Sequence, residues 1–373
     1  MEQTIITAAE NYRALDEWLA AKNVKNALLV RDSSYPFLTG IREKLLAVEA
    51  RGIRLIPFSD FQPNPLYESV VEGVRVFREH ACDAILAIGG GSAIDVAKCI
   101  KLYSNLPGDG ADGSYLTAPI VENRIPFLAM PTTAGTGSEA TRFAVVYYEG
   151  AKQSIAHISC IPDCALMDPG ALKTLPLYQK KATMADALCH AIESFWSVNS
   201  TEESKGYSIR AITGVLEHLD GYLLNDDQAN AGMLEAAHFA GKAINITQTT
   251  AGHAMCYKIT SLFRAAHGHA ALLCDRVLYP WMIDHTDLCI DPRGKAYLDG
   301  CLNELGKALG GTDARTGADQ LRKIFERLKL EIPEATPAQY EELKRGVNPV
   351  RLKNFPVALE SDVIDALYHQ ILR

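Results

Sequence analysis

The chain has 373 residues, of which 48% are hydrophobic and 22% are charged, and this composition excludes wholesale disorder. Its formal net charge is −8 at pH 7, so it lacks the excess of cations that a nucleic-acid scaffold needs. No apolar run reaches the ~18 residues of a membrane span, and the first residues do not resemble a signal peptide.

The first part of the chain alternates between apolar strands and helices. Stretches of apolar residues predict four buried strands, at 26–30, 52–57, 84–88 and 126–130. Helical spacing of apolar residues appears at 66–80 and 94–102. Strands of this kind, alternating with helices, are typical of a parallel sheet that is covered on both faces. We therefore predict an α/β domain over residues 1–176.

A glycine loop follows the third predicted strand and opens a helix. It consists of Gly89, Gly90, Gly91 and Ser92, and Asp95 lies in the first turns of the helix. Glycines let the backbone approach a phosphate closely, and a helix N-terminus offers unpaired N–H groups to an anion. The loop is neither GxGxxG nor a P-loop, so a simple tight turn is the alternative to phosphate binding.

Polar residues follow two other predicted strands at the same edge of the sheet. Thr132, Thr133 and Ser138 lie in the loop after the fourth strand, and together with the glycine loop they predict a groove for a phosphorylated cofactor. Asp32 follows the strand at 26–30 and is a candidate acceptor for a ribose hydroxyl, which would favour NAD over NADP. Arg31 beside it weakens that preference, and an ordinary solvated carboxylate is the alternative.

The second part of the chain, residues 177–373, is predicted to be helical. Apolar residues recur with a spacing of three to four at 179–197, 203–224, 228–247, 297–309, 315–328, 337–345 and 361–372. The nine cysteines of the chain are scattered and form no CxxC pair, which indicates reduced thiols and a cytoplasmic protein.

Four residues of this half form a candidate metal site. Asp186 and His190 are four residues apart and share one face of a helix. His253 and His267 would lie about 21 Å apart in a straight helix, so they can share a cation only if the chain turns back within 259–266. One carboxylate and three imidazoles suit Zn or Fe(II) with an open position for substrate. The alternative is that Asp186 and His190 form a hydrogen-bonded pair on a helix surface and that His253 and His267 are core histidines with partners inside the protein.

These motifs together resemble the iron-containing (group III) alcohol dehydrogenase family. The glycine loop 89–92, the loop 131–139, the Asp186–His190 pair and the His253–His267 pair occur in the order that the family has. The resemblance implies an N-terminal dinucleotide-binding domain, a helical C-terminal domain, a catalytic divalent metal and a homodimer. It assigns metal binding to the four candidate ligands and NAD(H) or NADP(H) contacts to the two loops and to Lys152.

One position departs from the family pattern, and three segments suggest a branch. Many members carry a further histidine four residues after the third ligand, where this chain has Tyr257, so the proton donor is open between water, the cofactor ribose, Tyr257 and His269. Segments 153–157, 249–262 and 346–356 resemble the phosphonoacetaldehyde reductases. Such a substrate needs cations, and the candidates are Lys258, Arg264, Arg351 and Lys353.

The sequence therefore predicts metal-dependent reduction of a small aldehyde to a primary alcohol. The resemblance points to phosphonoacetaldehyde as the substrate, with His267, Tyr257 and Lys258 as the catalytic candidates. The alternatives are a short-chain alcohol or diol dehydrogenase, a sugar-phosphate cyclase-type lyase, and a nucleotide-binding protein without catalysis. The presence of all four candidate metal ligands favours a dehydrogenase over the lyase and over the non-catalytic protein.

Overall fold

The computed structural model describes residues 3–347 and 349–373 of the chain. The chain divides after Leu175 into two compact units, one residue before the predicted boundary. Asn348, in one of the branch-like segments, lies outside the described residues. Within the ranges described, no helix combines the length and the apolar character that crossing a membrane requires.

The first unit contains strands and helices in alternation. Its strands are β1 (Thr4–Thr7), β2 (Asn26–Arg31), β3 (Arg54–Phe58), β4 (Ala84–Gly89), β5 (Phe127–Pro131), β6 (Phe143–Tyr148), β7 (Ala151–Ala156) and β8 (Cys164–Met167). Its helices are α1 (Ala9–Ala21), α2 (Thr39–Ala50), α3 (Tyr67–Glu79), α4 (Gly91–Tyr103) and α5 (Ser114–Thr117).

Six of these strands form one parallel sheet, and β6 and β7 form a separate antiparallel hairpin. The order in the sheet is β1-β8-β5-β4-β2-β3. Alternate residues of the central strands face two apolar cores, with Leu28 and Ile85 in one core and Leu29 and Leu86 in the other. Both faces are therefore buried, which explains why these strands are apolar along their whole length.

The strand order reverses between β2 and β4. The chain runs outward from β2 to β3 and then returns to place β4 on the other side of β2. Ligands of open parallel sheets bind at the carboxyl ends of strands where the order reverses in this way. Asp32 and the glycine loop 89–91 both lie at that point of this sheet.

The described residues of the second unit form helices joined by loops, with one isolated β-bridge between Cys289 and Val357. Its helices are α6 (Leu177–Trp196), α7 (Glu202–Leu223), α8 (Asp227–Thr247), α9 (Ala251–Phe263), α10 (His267–Asp284), α11 (Lys295–Ala308), α12 (Ala314–Leu328), α13 (Pro337–Arg345), α14 (Pro349–Leu352) and α15 (Ser361–Ile371). Helix α6 packs on α7, α8 and α10, and α10 also packs on α9. The predicted fold class, an α/β unit with a parallel sheet followed by an all-α unit, is confirmed.

Candidate metal centre and cofactor loops

Helix α6 carries the first two candidate ligands inside the second unit. Asp186 and His190 are one helical turn apart, and both are buried. The distance from Asp186 Oδ1 to His190 Nε2 is 3.9 Å. Helix α6 is covered by α7, α8 and α10, and most of its side chains between Met184 and Trp196 are apolar. These two polar groups are therefore held in apolar surroundings.

A sharp reversal of the chain brings the other two candidate ligands together. Helix α9 ends at Phe263, Arg264 adopts a left-handed conformation with φ of 55°, and α10 begins at His267. The turn lies within the segment 259–266, where the sequence requires one. The Ala266 N–H donates a hydrogen bond to Tyr178 Oη at 2.9 Å. As a result, the rings of His253 and His267 lie with their centroids 5.1 Å apart.

The ligand atoms converge on one point. One ligand atom from each of Asp186, His253 and His267 lies within 4.8 Å of the others. His190 stacks on His253 with ring centroids 4.6 Å apart. Asp186 Oδ1 and His253 Nε2 are buried without a hydrogen-bond partner, and they lie 3.5 Å from each other. Buried polar atoms of this kind need a partner, so the residues fit a divalent cation.

The electrostatics of these groups suit a cation. Burial opposes the ionisation of Asp186, but His190 and His253 beside it hold the pKa of that carboxyl below its usual range. The carboxylate is therefore ionised and acts as an acceptor at neutral pH. Carboxylate oxygen and imidazole nitrogen are ligands that Zn and Fe(II) share.

A second carboxylate, which the sequence analysis did not single out, orients His253. Glu193 is fully buried on α6 and accepts hydrogen bonds from the Thr250 N–H, from Thr250 Oγ1 at 2.6 Å and from the His253 N–H at 3.0 Å. It also pairs with His253 Nδ1. Burial disfavours a charged imidazole, yet Glu193 and Asp186 raise the pKa of His253 to about 10. With Nδ1 held by Glu193, the other ring nitrogen faces Asp186.

Two glycines allow the helices to approach each other closely at this centre. A Cβ on Gly268 would collide with the carbonyl oxygen of Ala182 and with Asp186. A Cβ on Gly252 would collide with Asp275 and with Glu193. Each glycine is the neighbour of a histidine ligand in sequence. The absence of a side chain is therefore what lets His253 and His267 reach α6.

The other predicted catalytic residues lie on α9 and α10, the helices that carry His253 and His267. Tyr257 stacks on the His267 ring with centroids 5.5 Å apart, and burial raises the pKa of its phenol. The Lys258 ammonium forms an ion pair with Glu342 at 2.6 Å. His269 uses both ring nitrogens in hydrogen bonds, to Tyr178 Oη at 3.0 Å and to the Glu331 carbonyl at 2.8 Å.

The short helix α14 brings Arg351 to the same group of helices. Arg351 Nη1 donates to Gln248 Oε1 at 2.6 Å, and α14 packs on α9. The Arg351 charge acts on Tyr257, where it opposes the rise in the pKa of the phenol that burial and Cys256 cause. Arg264 and Lys353, the other predicted cations, are exposed.

In the first unit, Asp32 is hydrogen-bonded to the glycine loop. Its carboxylate accepts from the Gly90 N–H at 2.8 Å and from the Ser34 N–H at 2.9 Å, and it pairs with Ser34 Oγ at 2.5 Å. A Cβ on Gly89 would collide with this carboxylate. The loop is thus fixed against β2, and α4 begins at Gly91 with the unpaired amides that a helix start offers to a phosphate.

The loop after β5 is held by charged groups of α4. Ser138 Oγ donates to Asp95 Oδ1 at 2.7 Å and accepts from Lys98 Nζ at 2.9 Å, so this buried hydroxyl already has partners within the protein. Asp95 also accepts from the Val145 N–H at 3.0 Å. These contacts anchor the loop, and the predicted cofactor contact of Ser138 stays a prediction.

Three further predicted cofactor residues lie at or near this sheet edge. Thr132 is buried, and its Oγ1 lies 3.4 Å from Ser34 Oγ. Thr133 faces the glycine loop, because a Cβ on Gly90 would meet its methyl group at 3.5 Å. Lys152 lies on β7, opposite Tyr147 on β6, and its charge acts on Asp95.

Comparisons with known proteins match both units. The family model "Iron-containing alcohol dehydrogenase" matches residues 3–169, and "Fe-containing alcohol dehydrogenase family, C-terminal" matches residues 180–335. Alcohol dehydrogenase 4 of Saccharomyces cerevisiae is 30% identical over 92% of this chain and 84% of its own length. The phosphonoacetaldehyde reductase of Streptomyces viridochromogenes is 34% identical over 66% of each chain.

Among solved structures, the sulfoacetaldehyde reductase of Bifidobacterium kashiwanohense in complex with NAD+ has a TM-score of 0.88. It is 25% identical to this chain, and the alignment covers 99% of this chain and 96% of that one.

Proposed function

The chain belongs to the iron-containing alcohol dehydrogenase family, and we propose that within this family it reduces phosphonoacetaldehyde to 2-hydroxyethylphosphonate. Members of the family are metal-containing enzymes that interconvert alcohols and aldehydes with a nicotinamide cofactor. The observation that supports the reaction is the convergence of Asp186, His253 and His267 beside His190 in the second unit. The substrate rests on the resemblance to a phosphonoacetaldehyde reductase.

The residues of the metal centre have distinct roles in this proposal. Asp186, His190, His253 and His267 hold a divalent cation, Fe(II) or Zn. When bound, that cation supplies Lewis-acid catalysis at a carbonyl and the nicotinamide supplies the hydride. Binding of the cation would require loss of the His253 Nε2 proton, and Glu193 would then accept from Nδ1–H and leave the Nε2 lone pair for the cation. The reduction consumes one aldehyde, one NAD(P)H and one proton, and it yields the alcohol and the oxidised cofactor.

The proton has a candidate donor on α9. Tyr257 Oη would deliver it to the developing alkoxide of the product. Its raised pKa keeps the phenol protonated at neutral pH, and an alkoxide is basic enough to take that proton. His269 is a weaker candidate because both of its ring nitrogens are already hydrogen-bonded. Lys258 is paired with Glu342 and would act on substrate only through a change of partner.

The loops of the first unit would bind the nicotinamide cofactor. The loop Gly89, Gly90, Gly91 and Ser92 would lie against the pyrophosphate, with amides at the start of α4 donating to it while the Gly90 N–H stays on Asp32. Thr132, Thr133, Ser138 and Lys152 would line the remaining groove. Asp32 would disfavour a 2′-phosphate near the Gly90 loop, which favours NAD. We further propose a cytoplasmic homodimer, in which β1, the edge strand with a half-exposed Ile5, pairs with its copy.

The substrate assignment is tested by comparing an anionic short-chain aldehyde with a neutral one. We expect the metal-loaded protein to reduce phosphonoacetaldehyde with a higher kcat/KM than propanal. The second candidate is a short-chain alcohol dehydrogenase, which the alignment with the yeast alcohol dehydrogenase over 92% of the chain favours. Faster turnover of propanal would select that candidate. No NADH oxidation with any aldehyde would select the lyase or the non-catalytic protein.

The metal centre is tested separately by His267→Ala. Loss of one imidazole should abolish turnover and lower the metal content, because three ligands bind a divalent cation less tightly than four. The affinity for NADH, measured by fluorescence titration, should stay close to that of the unmodified protein. Turnover that persists in a metal-stripped His267→Ala protein would contradict the assignment.

A further inference from the structure

Four cations of the second unit are candidates for contact with an anionic substrate, and their surroundings differ. Lys258 is neutralised by Glu342 at 2.6 Å. Arg264 and Lys353 are exposed to solvent, where an ion pair contributes little. Lys258 and Arg351 are both half-buried, but Lys258 is paired with a carboxylate, whereas Arg351 donates its hydrogen bond to a neutral group.

The partner of Arg351 does not balance its charge. Its Nη1 donates to the amide oxygen Oε1 of Gln248 at 2.6 Å. Among residues 3–347 and 349–373, no carboxylate forms an ion pair with Arg351. A guanidinium has five N–H donors, and a half-buried cation is costly unless an anion accompanies it. The fork of donors matches the oxygens of a tetrahedral oxyanion.

The backbone conformation of Gln248 is fixed by neighbouring side chains, so the amide that accepts from Arg351 is held in place. Gln248 has φ of 61° and ψ of 178°, a conformation that residues other than glycine rarely adopt. It is held there by Thr247 Oγ1, which donates to the Gln248 carbonyl at 2.9 Å, and by Asn354 Nδ2, which donates to the Thr249 carbonyl at 3.0 Å. The strained residue joins α8 to α9, directly before the helix that carries His253.

Arg351 and the metal ligands also share a neighbour. Tyr257 stacks on the His267 ring, and the Arg351 charge acts on the same phenol. Helix α14, which carries Arg351, packs on α9, which carries both His253 and Tyr257. An aldehyde whose oxygen points to the ligands could therefore extend past Tyr257 toward the guanidinium.

We infer that Arg351, positioned by Gln248, binds the anionic end of the substrate and determines specificity for aldehydes that carry a phosphonate or sulfonate. This inference rests on the proposed function, since it needs an aldehyde at the metal centre. It assigns the recognition of charge to Arg351 rather than to Lys258, whose ammonium is already paired. Two compared proteins, a phosphonoacetaldehyde reductase and a sulfoacetaldehyde reductase, are named for substrates of this class.

The test compares three aldehydes in the metal-loaded protein and in two Arg351 variants. We expect Arg351→Met to lower kcat/KM for phosphonoacetaldehyde or sulfoacetaldehyde by about 10- to 100-fold, the range of a charged hydrogen bond. Propanal turnover should change by less than about 2-fold. Arg351→Lys should lower kcat/KM for the anionic aldehydes less than Arg351→Met does, because lysine keeps the positive charge but lacks the paired N–H donors of the guanidinium. Arg345→Met, which removes an 82%-exposed guanidinium from α13, is the matched control and should change none of the three.

A binding measurement separates this inference from the proposed function. The dissociation constant of 2-hydroxyethylphosphonate, measured by calorimetry, should rise in Arg351→Met by a factor similar to the kinetic one. The role of Arg351 would be overturned if Arg351→Met lowered kcat/KM equally for propanal and for the anionic aldehydes. It would also be overturned if kcat/KM for the anionic aldehydes did not change. A preference for one anionic aldehyde identifies the oxyanion. Failure of the proposed function would look different, because the unmodified protein would then reduce propanal faster than the anionic aldehydes or would reduce none of the three.

Discussion

At the scale of single residues, the orientation of His253 depends on a carboxylate behind it. Glu193 lies seven residues after Asp186 and three after His190, so all three share one face of α6. That spacing was visible in the sequence and could have pointed to Glu193. The contact between Asp32 and the Gly90 N–H could not have been predicted, because it joins residues 58 apart through the pairing of β2 with β4.

The role of Glu193 predicts a loss of metal affinity in Glu193→Gln. The amide keeps the size of the side chain but removes the charge that holds His253 Nδ1. We expect the affinity for Zn to fall by about 10- to 100-fold, the usual effect of losing such a partner. Competition with a fluorescent chelator measures it. An unchanged affinity in a folded variant would show that Glu193 does not orient the ligand.

The close approach of α10 to α6 predicts a similar loss in Gly268→Ala. The added methyl group would collide with the Ala182 carbonyl and Asp186, so α10 must shift and carry His267 with it. We expect a lower metal content and a loss of unfolding free energy of about 1–3 kcal/mol. The matched control is Gly300→Ala on α11, where a Cβ meets nothing within 4 Å. That variant should gain about 0.5–1 kcal/mol in a chemical unfolding experiment. Equal behaviour of the two variants would contradict the argument.

At the scale of elements, apolar patterns predicted the central strands of the sheet and most helices, but they missed the buried strand Cys164–Met167 and the buried helix His267–Asp284. The strand predicted at 84–88 is found at Ala84–Gly89, and the helix predicted at 337–345 is found at Pro337–Arg345. The hairpin of β6 and β7 was not predicted. Half of it, Ala151–Ala156, is mostly exposed and carries no apolar run. This strand forms because it pairs with β6, and that pairing cannot be predicted from the sequence of 151–156 alone.

The packing of α6 with α7 and α8 encloses a lysine whose titration should be measurable. Lys180 is 1% exposed, and its Nζ donates to the Tyr222 carbonyl and to Asn230 Oδ1. Burial lowers the pKa of Lys180 from 10.5 to about 8. Between these two pH values the unfolded chain binds more protons than the folded one, so this residue makes the free energy of unfolding rise with pH.

We therefore expect the unmodified protein to gain stability relative to Lys180→Met as the pH rises from about 8 to about 10. The gain should approach about 1.4 kcal/mol per pH unit at most. Urea unfolding of both proteins at several pH values measures the difference, and the variant cancels the contribution of other titrating groups. Parallel profiles of the two proteins would contradict a lowered pKa for Lys180.

At the scale of the whole molecule, each compact unit carries one of the two candidate sites. The glycine loop lies within the first unit, and all four candidate metal ligands lie within the second. The sequence predicted this division from the change in periodicity near residue 176. It could not supply the geometry of the reversal at Arg264, because nothing in the local sequence fixes a left-handed arginine before a histidine.

This division predicts that two ligands stabilise different parts of the chain. Saturating Zn should slow amide hydrogen exchange in peptides from α6, α9 and α10, because a ligand at 100 times its Kd stabilises the native state by about 2.7 kcal/mol. NADH should slow exchange in peptides around 89–103. Mass spectrometry of the exchanged protein maps both effects. Protection of the 89–103 peptides by Zn alone would contradict the placement of the metal.

The turn at 264–266 and the hydrogen bonds of Glu193 have a consequence for how the protein acquires its ion in a cell. Because neighbouring groups set the ligand geometry, we expect the chain to finish folding before any ion arrives. The metal that the protein holds should then depend on which metal the host cell provides, because folding does not select it. Batches from iron-rich and zinc-rich cultures should therefore share one fold and differ in specific activity, and re-loading a purified batch should erase the difference.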